Sequence, residues 1–272
     1  MNRLDKIAAR AEIIVMIAVF ILPVTLYGYS EFDARYAADT HFDDEEDVFL
    51  PVWAALKAKV PDVALTELKR LKDTKEVKRP KYWFYLGTAL REKDRYEEAA
   101  EAFLQGLGEK NNKKTKNKVR NPVLSGRLYN GLGFTYMKMG ETEKALDCLN
   151  IAIEMDPSKG EYYNDLGKVF LLRNEVDRGI AAFTTAYRMS SSPDVVKDLA
   201  FAYGMKREYG KAKEILMTAF PIYEVYYNLG LIYEMNGDVK ESLGMYEMSL
   251  MAKREYEPAM NKLKNINLRG DR

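Results

Sequence analysis

The sequence predicts an all-α protein in which antiparallel helix pairs stack into an elongated array, with one further apolar helix near the N-terminus. Two observations indicate the array. Apolar residues in the central part of the chain recur at intervals of three and four, as they do on one face of an α-helix. The same pattern returns at steps of 30 to 34 residues, a period typical of repeat proteins. A third observation indicates the separate helix, because residues 13–29 contain no charged side chain.

The clearest helix pair covers residues 126–159. Gly133 leaves room for a second helix to approach the first, and Gly140 ends the first helix. Two such helices cannot bury both of their apolar faces alone, so the pair is stable only when further pairs stack on it. The two apolar faces consist of Leu128, Tyr129, Leu132 and Tyr136 on the first helix and of Ala145, Leu149 and Ala152 on the second.

Related patterns occur on both sides of this central pair. The last complete copy is the loosest, because Ser242 and Ser249 replace its two small alanines. A final helix over residues 255–270 is expected to close the open end of the stack. The copies are predicted at residues 80–108, 160–192, 193–222 and 223–254, and a degenerate pair is predicted at residues 47–79.

The order of residue types in the central pair resembles the tetratricopeptide repeat. Five copies share one register over roughly residues 80–270. The resemblance implies a right-handed superhelical solenoid whose first helices line a concave groove, which in this family commonly receives a peptide or a helix of a partner. The residues that carry the resemblance are Tyr129, Leu132, Gly133, Tyr136, Ala145, Leu149, Ala152 and Pro157.

The resemblance also assigns residues to the groove. They form an apolar, methionine-rich row, which suits an amphipathic helix or an extended apolar segment of a protein partner. The chain's own tether or a neighbouring subunit could cover the same row. A clamp for a C-terminal carboxylate is not reproduced, since Phe84 stands at its first lysine position. The groove positions are Phe84, Thr88, Arg91, Arg127, Asn130, Phe134, Met137, Asn164, Lys168, Leu171, Lys197, Phe201, Met205, Tyr227, Leu231, Glu234 and Met235.

Residues 13–29 are predicted to form a transmembrane helix. A helix of this length is about 25 Å long, slightly shorter than a hydrocarbon layer of roughly 30 Å. Residues 1–12 carry Arg3, Lys6 and Arg10, whereas residues 30–46 form an acidic tether. This asymmetry predicts a cytoplasmic N-terminus and repeats on the other side, in the periplasm at a bacterial inner membrane. A cleaved secretory signal peptide and a buried core helix are the alternatives.

Residues 109–125 are predicted to be a basic inserted loop between two repeats. Such insertions protrude from a solenoid, so this one is either a solvated loop or a docking site for an acidic protein surface or anionic lipid head groups. Its cations are Lys110, Lys113, Lys114, Lys116, Lys118 and Arg120.

The sequence contains no motif that points to catalysis. Glycine-rich phosphate loops, nucleophile elbows and metal-binding histidine pairs are not found, so neither an enzyme nor a cofactor or metal site is expected. A formal net charge of +1 gives no reason to expect nucleic acid as a partner. Cys148 is the only cysteine, which excludes an intramolecular disulfide.

These observations together predict a membrane-anchored scaffold that binds partner proteins. Its expected place is as a structural subunit of a membrane or envelope complex. Two alternatives stay open at this point. The protein could be a transient assembly factor for such a complex, or a secreted repeat protein released by signal-peptide cleavage.

Overall fold

The computed structural model describes residues 48–110, 113–114 and 121–270, and these residues are almost entirely helical. A short 3-10 helix, Lys75–Lys78, connects the second and third α-helices. The described residues contain thirteen α-helices: α1 (Leu50–Lys57), α2 (Pro61–Leu71), α3 (Pro80–Arg91), α4 (Tyr96–Leu107), α5 (Pro122–Lys138), α6 (Thr142–Met155), α7 (Gly160–Leu172), α8 (Val176–Met189), α9 (Pro193–Met205), α10 (Tyr209–Leu216), α11 (Ile222–Met235), α12 (Val239–Ala252) and α13 (Glu257–Gly270).

Consecutive helices pack as hairpins, from α1 with α2 to α11 with α12, and α13 packs on α12 at the end of the stack. Each hairpin packs on the next one. The first helices of successive hairpins also contact one another, whereas comparable contacts between second helices are not found in the described residues. The first helices therefore form the inner, concave layer. The predicted all-α solenoid of helix pairs is confirmed.

The two helices of a hairpin approach each other at a small residue on the first helix. A large side chain sixteen positions later on the second helix lies against it. A Cβ atom added to the glycine would stand less than 3 Å from this side chain, closer than any real contact allows. The predicted role of Gly133 is thereby confirmed. The pairs are Gly87 with Phe103, Gly133 with Leu149, Gly167 with Phe183, and Gly230 with Tyr246.

The basic insertion differs from the predicted loop at both of its ends. Its first part forms a minimal antiparallel pair of strands, β1 (Glu109–Lys110) and β2 (Lys113–Lys114). Helix α5 begins at Pro122, so residues 122–125 are helical rather than part of the loop. The early start has a local cause. The Asn121 side chain accepts a hydrogen bond from the Leu124 backbone N–H at 3.2 Å, and Pro122 is suited to the first turn.

The serines of the last complete hairpin are fully buried, as the alanines are in other copies. Their hydroxyl groups have acceptors. Ser249 Oγ donates to the Tyr223 carbonyl at 2.7 Å, and Ser242 Oγ donates to the Val239 carbonyl at 2.8 Å. Serine is thus tolerated here because a buried hydroxyl is satisfied by the backbone. The first of these bonds also ties α12 to α11.

The predicted transmembrane helix, residues 13–29, and the acidic tether, residues 30–46, lie outside the described residues. Among the helices that are described, none combines the length and apolar character needed to cross a bilayer.

The close approach within the hairpins predicts opposite effects for two Gly→Ala substitutions. Gly167→Ala would place Cβ 2.6 Å from the Phe183 ring and should reduce the free energy of unfolding by about 1–3 kcal/mol. At Gly244, in the middle of α12, an added Cβ atom would have no atom within 4 Å. Gly244→Ala should therefore raise the free energy of unfolding by about 0.5–1 kcal/mol. Denaturant titration of the two variants measures both changes. A shift in the same direction for both would contradict the steric explanation.

Candidate functional site

An apolar depression of about 570 Å³ lies on the concave side, where the C-terminal ends of α5, α7 and α9 meet. Met137, Leu171 and Met205 line it, and they occupy equivalent positions that are 34 residues apart. Leu172 adds an apolar side chain that is 61% exposed. Lys138 and Lys168 complete the lining. The repeat thus places one apolar side chain from each of three neighbouring helices on the same surface.

A ladder of polar side chains crosses the same three helices next to the depression. Asn130 Nδ2 on α5 donates to Asp165 Oδ2 on α7 at 2.9 Å. One repeat further, Asn164 Nδ2 on α7 donates to Asp198 Oδ2 on α9, also at 2.9 Å. The amide donors of both asparagines are therefore already engaged with the next repeat.

Lys168 joins the two rungs of the ladder. Its Nζ lies 3.5 Å from Asp165 Oδ1 and 3.3 Å from Asp198 Oδ2. Burial lowers the pKa of Lys168, but the two carboxylates outweigh that effect and its pKa is raised. Burial also raises the pKa of Asp165, against the opposing effects of Lys168, the Asn130 hydrogen bond and Arg91. Lys168 thus offsets part of the negative charge of the two carboxylates within the fold.

Cations and an aromatic ring lie beside the depression on α3 and α5. The Arg91 guanidinium carbon of α3 lies 4.8 Å from the centre of the Phe134 ring, and Lys138 Nζ lies 5.6 Å from it. Glu161 retains contact with solvent, yet the surrounding protein partly desolvates its carboxyl group, and this together with Asp165 raises its pKa. Arg91, Arg127 and Lys168 act in the opposite direction.

The structure brings only some of the predicted groove residues together. Met137, Lys168, Leu171 and Met205 meet at the depression. Asn130 and Asn164 are buried in the ladder beside it, and Arg91 and Phe134 pair with each other. Arg127 is half-buried on α5, Leu231 is half-buried on α11, and Met235 is 46% exposed at the end of α11.

The remaining predicted residues are half-buried and contact neighbouring side chains of the protein. Phe84 contacts the Phe103 and Tyr85 rings, and Phe201 packs in the cluster around α9 and α11. Lys197 Nζ lies 5.1 Å from the centre of the Phe220 ring. Tyr227 and Glu234 are engaged at the end of the stack, where Tyr227 packs against Tyr246 and Tyr256, and Glu234 accepts from Tyr246 and Lys262.

Sequence reasoning missed four residues of this site. Leu172 directly follows the predicted groove residue Leu171, and Lys138 directly follows Met137. Including the next residue in each repeat would have found both. Asp165 and Asp198 immediately precede the repeated leucines of their helices, Leu166 and Leu199. That recurrence at an interval of 33 residues was a usable signal.

The site has the character of a binding surface. In the described part of the chain, no group of three or more His, Cys, Asp or Glu side chains is arranged to hold a metal ion. The described features are those of a helical-hairpin repeat protein with an apolar depression on its concave face.

Family comparisons identify the hairpins. Two family models, both described as tetratricopeptide repeat, match residues 126–159 and residues 52–113. The first range coincides with the predicted central repeat, and the second extends over the predicted degenerate pair. These two ranges therefore match the tetratricopeptide repeat, as the resemblance in the sequence indicated.

Solved structures show the same fold at low sequence identity. PilF of Pseudomonas aeruginosa is 12% identical over 80% of this chain and 96% of its own, with a TM-score of 0.55. A monomeric mutant of IFIT1 with Gppp-AAAA is 14% identical over 87% of this chain and 58% of its own, with a TM-score of 0.63. A thermophilic TPR protein of Thermus thermophilus is 16% identical over 70% of this chain and 99% of its own, with a TM-score of 0.50. A search of curated proteins found no match.

The ladder predicts that Asp165 contributes to the stability of the fold more as a hydrogen-bond acceptor than as a negative charge. Asp165→Leu should lower the free energy of unfolding by about 1–3 kcal/mol, because the buried Asn130 amide loses its acceptor. Asp165→Asn keeps an acceptor oxygen in a side chain of the same size, so it should change the free energy of unfolding much less. Urea titration at neutral pH measures both variants, and an equal loss in both would contradict this prediction.

The raised pKa of Asp165 adds a pH dependence to the same comparison. A carboxyl group whose pKa is higher in the folded state than in the unfolded state stabilises the fold more as the pH falls. The stability difference between the wild type and Asp165→Asn should therefore move in favour of the wild type on acidification through the pKa of the folded state.

Proposed function

We propose that the protein is a membrane-anchored TPR scaffold that binds an amphipathic helix of a partner protein and serves as a structural subunit of a membrane or envelope complex. The observation that carries the binding role is the apolar depression beside the polar ladder. Leu172 is exposed at a place where three helices already contribute apolar side chains. We infer that this exposed apolar surface is the interaction site.

The spacing of the depression suits a helix laid across the three first helices. Packed helices lie about 8–10 Å apart, so equivalent residues of successive repeats are separated by a similar distance. Residues seven positions apart on a partner helix are about 10.5 Å apart along its axis. One apolar side chain in every seventh position could therefore contact Met137, Leu171 and Met205 in turn.

The ladder favours a helix over an extended peptide. An extended peptide leaves its backbone N–H and C=O groups to be satisfied by the surface that binds it. The amide donors of Asn130 and Asn164 are already committed to Asp165 and Asp198. A helix satisfies its own backbone and needs only the apolar contacts.

The membrane role is supported by the sequence of the N-terminal part. The uncharged run of residues 13–29 has three basic residues on one side and an acidic tether on the other. We place residues 1–12 in the cytoplasm and the repeats in the periplasm, at a bacterial inner membrane, by the positive-inside bias. The groove would then be held close to membrane proteins, where an amphipathic helix is a common partner.

Site-specific photocrosslinking tests the groove in the native host. A photoreactive residue in place of Leu172 should form cross-links to one helical segment of a partner, with apolar residues on one face, as identified by mass spectrometry. The matched control replaces Met217, which is 57% exposed compared with 61% for Leu172 but follows α10, a second helix of its hairpin. Identical products at both positions, or none at Leu172, would contradict groove binding.

The same experiment separates a subunit from an assembly factor. A structural subunit should yield the cross-link in the mature complex, and the two proteins should copurify in fixed ratio after detergent extraction. Capture only while the complex is being built would indicate a transient factor instead.

The membrane topology is tested by extraction and protease access. The full chain should stay with membranes after alkaline carbonate treatment, and removal of residues 1–29 should release it. Protease added to spheroplasts should digest the repeats, because they are placed on the periplasmic side. Protection of the repeats in intact spheroplasts, with digestion after lysis, would show the opposite orientation.

A further inference from the structure

The first part of the solenoid carries a concentrated positive charge. Residues 48–81, here called the basic end unit, comprise α1, α2, the 3-10 helix and the start of α3. They contain nine lysines and arginines and four acids, a surplus of five positive charges. The whole chain has a net charge of only +1, so this surplus is balanced elsewhere.

The positive charge lies on the surface. Eight of the nine basic residues of the unit are exposed, all except the half-buried Lys81. Its acids are largely engaged. Glu76 is buried and accepts from Arg79 at 2.8 Å, and Asp62 pairs with Lys93 of the next hairpin at 3.0 Å. The exposed surface of the unit is therefore strongly basic.

The chain enters the core of the unit directly beneath two of these cations. Phe49 is fully buried and packs against Tyr85 at 5.6 Å between ring centres. The Arg79 guanidinium carbon lies 5.5 Å from the centre of the Phe49 ring, and Lys81 Nζ lies 5.8 Å from it. Val48, which precedes Phe49, is 41% exposed, so the described chain enters the core at a surface that also carries Arg79 and Lys81.

The residues that precede Val48 are the most acidic run in the sequence. Residues 43–47 are Asp-Asp-Glu-Glu-Asp. A chain spans at most about 3.6 Å per residue, so even residue 43 lies within roughly 22 Å of Phe49. The covalent chain thus keeps five negative charges within reach of a unit with a surplus of five positive charges.

We propose that residues 43–47 dock on the basic end unit of their own chain and neutralise it. A covalently attached segment acts at an effective concentration in the millimolar range, which a separate partner rarely reaches. Anionic lipid is the weaker competitor for this surface, because the acidic tether that accompanies the unit everywhere would itself be repelled by anionic head groups. The proposal does not depend on the proposed function, since it concerns only residues 43–81.

Docking would also fix the position of the solenoid relative to the end of the tether. With the end of the tether held on the basic end unit, the first hairpin stays beside the point where the chain arrives, and the concave face further along the stack stays clear. The contact is electrostatic, so it should weaken as salt shortens the screening length from about 8 Å to about 3 Å.

Zero-length carbodiimide cross-linking of the full chain in detergent tests this directly, because the reagent joins only carboxylates and amines in contact. Mass spectrometry should find residues 43–47 linked to Lys72, Lys78 or Lys81. At about 1 M salt the yield should fall by about fivefold or more. In a mixture of isotope-labelled and unlabelled protein, the linked pairs should come from single chains.

Several results would overturn the proposal. Mixed-isotope pairs would show a second copy as the occupant, and links to the lysines of residues 109–125 or to Lys168 and Lys197 would place the acidic run elsewhere. Loss of the links in nanodiscs that contain phosphatidylglycerol, but not in those of phosphatidylcholine, would assign the surface to anionic lipid. Absence of any link to reactive lysines of the unit would remove the contact altogether.

Matched variants supply a readout that does not depend on the cross-linker. Changing residues 43–47 to the corresponding amides should lower the thermal midpoint by about 2–4 °C at low salt and leave it unchanged at about 1 M salt. The control changes Glu31, Asp33 and Asp39, the acids further up the tether, in the same way, and it is compared with a variant that changes only Asp43, Asp44 and Glu45. An equal effect of both sets would show general charge repulsion rather than docking.

Discussion

The architecture depends on the close approach of two helices within each hairpin. A small residue on the first helix and a large one sixteen positions later recur from Gly87 with Phe103 to Gly230 with Tyr246. In the α9 and α10 hairpin, the same positions are Ala200 and Leu216, both fully buried. The large side chain fills the space that the missing Cβ leaves open, so each hairpin has one relative arrangement of its helices. Stacking hairpins of one shape then produces a regular concave layer of first helices.

Polar contacts on that concave layer add to the apolar packing between three successive repeats. The Asn130 to Asp165 and Asn164 to Asp198 hydrogen bonds join three successive first helices, and Lys168 lies between the two carboxylates. A buried carboxylate without such partners would be strongly destabilising. The partners therefore have two effects: they make the buried charge tolerable, and they hold the ends of α5, α7 and α9 in the positions that form the apolar depression.

The proposed binding site and the end of the solenoid that receives the N-terminal part of the chain lie in different parts of the molecule. The depression belongs to the middle of the solenoid, whereas the basic end unit receives the chain from the N-terminal side. At the opposite end, Tyr227 and Glu234 are engaged by α12 and α13, which close the stack. Within the described residues, the central part of the concave row brings together Met137, Leu171, Leu172 and Met205 from three helices, and this is where the proposed partner helix would bind.

The sequence alone determined the elements and their register, because helical spacing and the alternation of small and large residues are local physical requirements. It identified Gly133 as a point of close approach, and it placed Met137, Leu171 and Met205 on the concave side. Tertiary structure decided which concave residues stay accessible. Phe201 packs in the cluster around α9 and α11, and Tyr227 packs against Tyr246 and Tyr256, whereas Leu172, next to a predicted groove position, is 61% exposed. Periodicity defines the direction of a side chain, whereas only the packed neighbours define what that side chain meets.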